Sequence, residues 1–186
     1  MNIAVIGGLA LALLALFLAG IWFWRRSRRR STVETALAAI SLERLGDIFI
    51  PDGMGGEIHI EHLLLTVRGV LIVNVKHYVG VVFASDRMDQ WTAIGPKGRS
   101  VFPNPLSSLY DRIAAVRQLV RDIDVAGCVV FPSLADFSKG RPADVRLPED
   151  LLALYAQTED EDPDRVKGAF APHWEKIVAA ARSAAA

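Results

Sequence analysis

Cysteine is nearly absent from this 186-residue sequence: Cys128 stands alone, so no internal disulfide forms. It lies in the apolar run Val125 to Phe131 and reads as a small buried hydrophobe. No cysteine–histidine cluster occurs at zinc spacing, and Gly53 to Gly56 lack the following Lys-Ser/Thr of a Walker A loop. Internal repeats are missing too. No Lys or Arg precedes Arg25, which argues against a cleaved signal peptide with its charged n-region. Net charge is also lacking, since 21 Lys and Arg balance 21 Asp and Glu. That balance hides a split. Arg25, Arg26, Arg28, Arg29 and Arg30 precede every acid, leaving 16 basic against 21 acidic groups from Ser31 onward, a net of −5. A mildly acidic domain gives no field-based reason to expect broad nucleic-acid binding; any such site is a local basic cleft.

What is present begins with an apolar run. Ile3 to Trp24 contains no charge, and as a helix it is long enough for a hydrocarbon core of about 30 Å. It ends in Ile21-Trp22-Phe23-Trp24, an aromatic cluster suited to the headgroup level. The five arginines that follow place the C-terminal side in the cytoplasm by the positive-inside rule, and they suit contact with anionic lipid. The expectation is a single-pass protein of the inner (cytoplasmic) membrane with its N-terminus outside. Residues 1–30 form the transmembrane anchor and basic flank, and residues 31–186 form one soluble domain of ordinary size.

Ser31 with Glu34 three residues later makes a capping-box pattern, and Val33, Leu37, Ala38, Ile40, Leu42 and Leu45 supply an apolar side to a helix ending at Gly46. Asp47 to Ile50 reads as a short strand, and Pro51 to Gly56 as a glycine-rich turn. Glu57 to Thr66, Val70 to Tyr78 and Val81 to Ala84 read as a meander of strands turning at Arg68-Gly69 and Gly80. A polar loop around Trp91 and Gly95-Pro96 follows. Asn104-Pro105 then opens a helix with Leu106, Leu109, Ile113, Val116, Leu119 and Val120 as its stripe. Ala126 to Phe131 is a further core strand, and helices begin near Pro148 and Asp164. This order predicts an α/β fold, a mixed sheet flanked by helices and preceded by one transmembrane helix.

Residues two apart on a strand face the same side, so Asn74 and Lys76 share a face, and closure at Arg68-Gly69 brings Glu61 near them. A lysine in an apolar strand needs a partner. From the residues alone, Glu61, Asn74 and Lys76 make either a satisfied polar patch at the end of the sheet or the start of a site. Arg87, Lys97 and Arg99 surround Trp91. They suit phosphate contacts with Trp91 stacking on a base, or Trp91 seals the core edge while the charges are solvated.

The stretch from about Val33 to Leu152 resembles the nuclease-related domain, or NERD, family of the restriction-endonuclease-like superfamily. The resemblance rests on Gly-Gly before Ile60-Glu61-His62-Leu63, on Arg68-Gly69-Val70, and on Asn74-Val75-Lys76-His77-Tyr78-Val79-Gly80. Trp91, Asn104-Pro105 and Cys128-Val129-Val130-Phe131 follow in order. It implies metal-assisted phosphodiester hydrolysis of DNA or RNA, with Mg²⁺ held by carboxylates and a lysine steadying developing charge. Carried over by position, Glu34 matches the acid of the first helix, Glu61 the first strand acid and Lys76 the lysine. Glu61 and Glu34 are then the metal ligands. Three positions depart from the pattern. At Glu61 the usual residue is Asp. Asn74 stands where the second acid belongs, and Ser108 about where the family often shows Gln. Two functions follow: a membrane-anchored, Mg²⁺-dependent nuclease, or a catalytically degenerate domain that binds nucleic acid or a protein partner at the membrane.

Overall fold

Backbone pairing in the central hairpins grows directly from the strand pattern. A computed structural model describes residues 33–155 and 162–183. It opens on helix α1 (residues 33–40), followed by β1 (Glu43–Pro51), β2 (Glu57–Thr66), β3 (Gly69–Val75) and β4 (Gly80–Phe83). Then come β5 (Gln90–Gly95), β6 (Gly98–Pro103), α2 (Pro105–Leu119), β7 (Val125–Val130), β8 (Ala135–Asp136) and β9 (Val145–Arg146). The chain closes with α3 (Pro148–Tyr155), α4 (Pro163–Ala180) and β10 (Arg182–Ser183). Among the described residues no helix is long and apolar enough to cross a membrane. The apolar run Ile3 to Trp24 and its arginine flank lie outside the described residues.

The mixed α/β class is as expected, but the strands divide into two sheets instead of one. The larger has the order β10-β1-β2-β3-β7-β9, the smaller β6-β5-β4-β8. β1 with β2 and β2 with β3 are antiparallel; β3, β7 and β9 run parallel. Gly69, at φ 109°, makes the tight turn between β2 and β3, and a Cβ there would stand 2.6 Å from the Asp124 carbonyl oxygen. On one face of the larger sheet Leu63, Leu65, Val70, Ile72 and Val129 pack with Leu106, Leu109 and Val116 of α2, Trp174 and Ile177 of α4, and Trp91 and Phe102 of the smaller sheet. On the other, Leu64, Leu71, Val73, Cys128 and Val130 pack with Val33, Leu37 and Ile40 of α1 and Leu151 of α3. α2 sits low on β7 because Gly127 has no side chain: a Cβ would meet Leu109 and Ile113 methyls at 2.8 and 2.7 Å.

Three local expectations change. The first helix ends at residue 40 rather than at Gly46, because Leu42 donates its N–H to Leu65 O and the chain joins β2 as a strand from Glu43. β3 stops at Val75, short of Tyr78. The polar loop around Trp91 is a hairpin, β5 and β6, turning through Pro96 and Lys97. Asn104 caps α2 as expected, its side chain accepting from Leu106 N, with Pro105 at the first turn.

One distortion positions the site. Leu45 pairs with Leu63 and Ile48 with Ile60, and all four belong to one core although strict alternation would divide them between faces. β1 turns over at Asp47, the one described non-glycine residue with positive φ, at 49°. β2 turns over in step between Ile60 and Leu63, and its ladder with β3 ends at His62 opposite Val73. Glu61 occupies the break.

Candidate nucleic-acid interface

Where the β2–β3 ladder ends, the backbone N–H of Val75 needs a partner. The Glu61 carboxylate supplies it: Oε2 accepts from Val75 N at 2.9 Å and from Asn74 Nδ2 at 3.2 Å. A carboxylate only accepts, which fixes the Asn74 amide with its NH₂ toward Glu61. Asn74 is 8 % exposed, and its Oδ1 is buried and accepts no hydrogen bond. The second Glu61 oxygen lies 3.9 Å from His62 Nε2. On the far side of that ring, Arg44 Nη2 is 3.1 Å from His62 Nδ1. A guanidinium only donates, so Nδ1 accepts and the neutral ring carries its proton on Nε2, toward Glu61. Burial, helped by Arg44, pushes the His62 pKa down against Glu61, Glu34 and Asp47. Arg44 is gripped in turn by Glu34, at 2.8 and 3.3 Å, and that hydrogen bond draws the Glu34 carboxyl below its ordinary range.

Two cations lie within the electrostatic reach of this carboxylate. Lys76 leaves β3 with its backbone N–H bonded to Val130 O at 2.9 Å, and its side chain is half-buried. Burial lowers its pKa; Glu61 opposes that and Arg112 adds to it. Arg112 of α2 donates through Nε to His59 O at 2.6 Å and through Nη1 to Ser108 O at 2.7 Å. Its pKa is also lowered by burial, opposed by Glu61 and Asp111. Lys76 and Arg112 therefore both lie in the field of Glu61, in surroundings that disfavour positive charge.

The structure brings Glu61, Asn74 and Lys76 together and does not bring Glu34 to Glu61, because Arg44 and His62 stand between them. Ser108 touches the site through its carbonyl, which receives Arg112, while its hydroxyl bonds to Pro105 O at 3.1 Å. Base stacking by Trp91 is corrected: the side chain is fully buried, its Nε1 donates to Ser85 O, and its ring packs near Phe102 and Phe131. Arg87, Lys97 and Arg99 are exposed along the smaller sheet. Asp52 and Glu57, the other acids near in sequence, are engaged elsewhere. Asp52 accepts from Met54 N and Gly56 N in its own turn, and Glu57 lies 3.3 Å from Arg182. Arg112, Arg44 and His62 escaped sequence reasoning. Arg112 had a signal, since its spacing from Leu109 and Val116 puts a charge beside the apolar stripe of α2.

These donors do not fit the divalent cation that the resemblance implies. A hard dication wants several anionic oxygens. Glu61 offers one carboxylate with an oxygen already holding two N–H groups, and Asn74 turns a donor toward it. Lys76 and Arg112 add repulsion. Among the described residues no group of three or more His, Cys, Asp or Glu side chains is arranged to hold a metal ion.

The model of the nuclease-related domain matches residues 31–132, more than half of the chain. The chain belongs to the NERD family. The match contains β1 to β6, α2 and β7, and so every residue of the Glu61 site. An uncharacterized protein of Bacillus anthracis is 30 % identical over 100 residues, which cover 52 % of this chain and 47 % of that protein. The chain thus spans about half the length of that relative. No solved structure matches.

Proposed function

We propose that this NERD protein binds the phosphodiester backbone of DNA or RNA through Lys76 and Arg112, without metal-dependent cleavage, while held at the inner membrane by Ile3 to Trp24. One arrangement supports the reading: half-buried Lys76, just past β3, and half-buried Arg112, held on α2 through His59 O and Ser108 O, lie in the field of a Glu61 carboxylate already engaged by Asn74 and Val75. A backbone phosphate against each of Lys76 and Arg112 relieves that excess of positive charge, and charge-assisted donors are the usual means of gripping one. Glu61 then acts as an internal counter-ion that holds the end of β3 and keeps both cations in the fold. The acidic net charge of the domain fits binding confined to this site instead of spread over a surface. The tether follows from the uncharged run, its aromatic end and the arginines beyond it, which put the domain on the cytoplasmic side where nucleic acid is accessible.

The test is binding of a labelled oligonucleotide to the full chain in nanodiscs, titrated over salt. Two phosphate contacts predict a slope of log K against log[salt] of about −2. Lys76→Ala and Arg112→Ala should each reduce the magnitude of that slope by about one. A slope unchanged in both variants contradicts the assignment.

A further inference from the structure

An apolar surface remains that the Glu61 site does not use. The smaller sheet turns Val82, Trp91, Ala93 and Phe102 inward, and alternation turns Val81, Phe83, Thr92, Ile94, Arg99 and Val101 outward. Register aligns Phe83, Thr92 and Val101 in one row across the sheet, and Val81, Ile94 and Arg99 in the next. Ile94 and Val101 are about half exposed, at 49 % and 50 %, and Phe83 is 37 % exposed. These residues adjoin one another, unlike apolar side chains scattered singly over a surface. The border is cationic on the hairpin side, where Lys97 is in the β5–β6 turn and Arg99 closes the second row; at the opposite end of the strands Arg87 lies in the β4–β5 loop between Asp86 and Asp89. Residues 79–103 carry Arg87, Lys97 and Arg99 against Asp86 and Asp89, a net of +1 within a domain of net −5. Asp136, opposite Val81, is the acid at the other edge.

We infer that this face docks on the anionic surface of the membrane, with Phe83, Ile94 and Val101 seated at the headgroup boundary and Lys97 and Arg99 against acidic lipid. An apolar patch with a basic margin suits such a surface, whose attraction adds to apolar burial. The inference rests on the membrane-anchored reading. That reading supplies a bilayer within reach of the domain at all times, so weak docking suffices.

The only cysteine, Cys128, is buried, so an introduced cysteine can carry a fluorophore alone. Full chains with Phe83→Cys, Val101→Cys or, on the exposed side of α4, Glu175→Cys are labelled and reconstituted into vesicles of phosphatidylcholine with or without phosphatidylglycerol. Lipid-borne quencher should remove most emission at positions 83 and 101 in phosphatidylglycerol vesicles, and little at 175. Adding Lys97→Glu and Arg99→Glu should abolish the difference. Flotation in high salt reads the anchor separately: a chain that fails to float overturns the anchor and the docking with it. A chain that floats with positions 83 and 101 unquenched overturns the docking alone. Shielding of those positions in detergent, or only after oligonucleotide is added, assigns the face to a second copy or to nucleic acid and likewise overturns it.

Discussion

Replacing Glu61 by alanine tests whether this carboxylate is a structural counter-ion. The substitution strands the Val75 N–H and the buried Asn74 amide, and it removes the only anion whose field favours both Lys76 and Arg112 in their charged forms. Hydrogen bonds to an ionised acceptor are worth about 1.5–3 kcal/mol each. The Glu61 side chain is 29 % exposed, so water replaces part of each bond and the low end applies. Two bonds then amount to about 3 kcal/mol. For a domain of this size that is a fall of roughly 6–12 °C in Tm, measured by calorimetry or circular dichroism on the full chain in detergent. Glu61→Gln keeps an acceptor oxygen and loses the charge, so its loss should be smaller, about 1 kcal/mol. A carboxylate held in place for a metal behaves in the opposite way, since such groups are strained when the ion is missing and their removal often stabilises. A Tm unchanged or raised by Glu61→Ala would refute the structural role.

Lys76→Met should raise Tm while weakening oligonucleotide binding. Burial lowers the lysine's folded pKa below its unfolded value, so carrying the charge at neutral pH costs stability; a Tm loss would contradict this. His62 is likewise lowered in the fold, so its contribution is complete above the unfolded histidine pKa of about 6.5 and is lost as pH falls through the window down to the folded pKa. Denaturant melts across that window should show a decline that His62→Gln reduces. Gly127→Leu should push α2 off β7 by overpacking against Leu109 and Ile113, at a cost of at least about 2 kcal/mol read from urea midpoints.

Sequence reasoning found the central hairpin, the α2 stripe and the company of Glu61, Asn74 and Lys76, because each depends on periodicity and on a short turn. It missed what depends on departures from periodicity. Leu42 and Leu45 fit a helix as well as a strand, and only pairing with Leu65 and Leu63 decides between them. The β5–β6 hairpin does show alternation, with Trp91 and Ala93 inward and Thr92 and Ile94 outward, but Gly95-Pro96 and the charges around it read as a loop. The turnover at Asp47 and Glu61 has no sequence marker. It is what turns Glu61 toward Asn74 and leaves His62 and Arg44 between Glu61 and Glu34. Arg112 comes from α2 and reaches the carbonyl of His59, a pairing across 53 residues that spacing along one helix does not reveal.

The most direct measurement holds a labelled oligonucleotide with the full chain in nanodiscs, once in EDTA and once in Mg²⁺ or Mn²⁺, and reads both anisotropy and product length. The account predicts equal binding in both conditions, an intact oligonucleotide, and loss of binding when Lys76 and Arg112 are both replaced by alanine. Cleavage that needs the metal and disappears with Glu61→Ala or Lys76→Ala, or binding that collapses in EDTA, would contradict it.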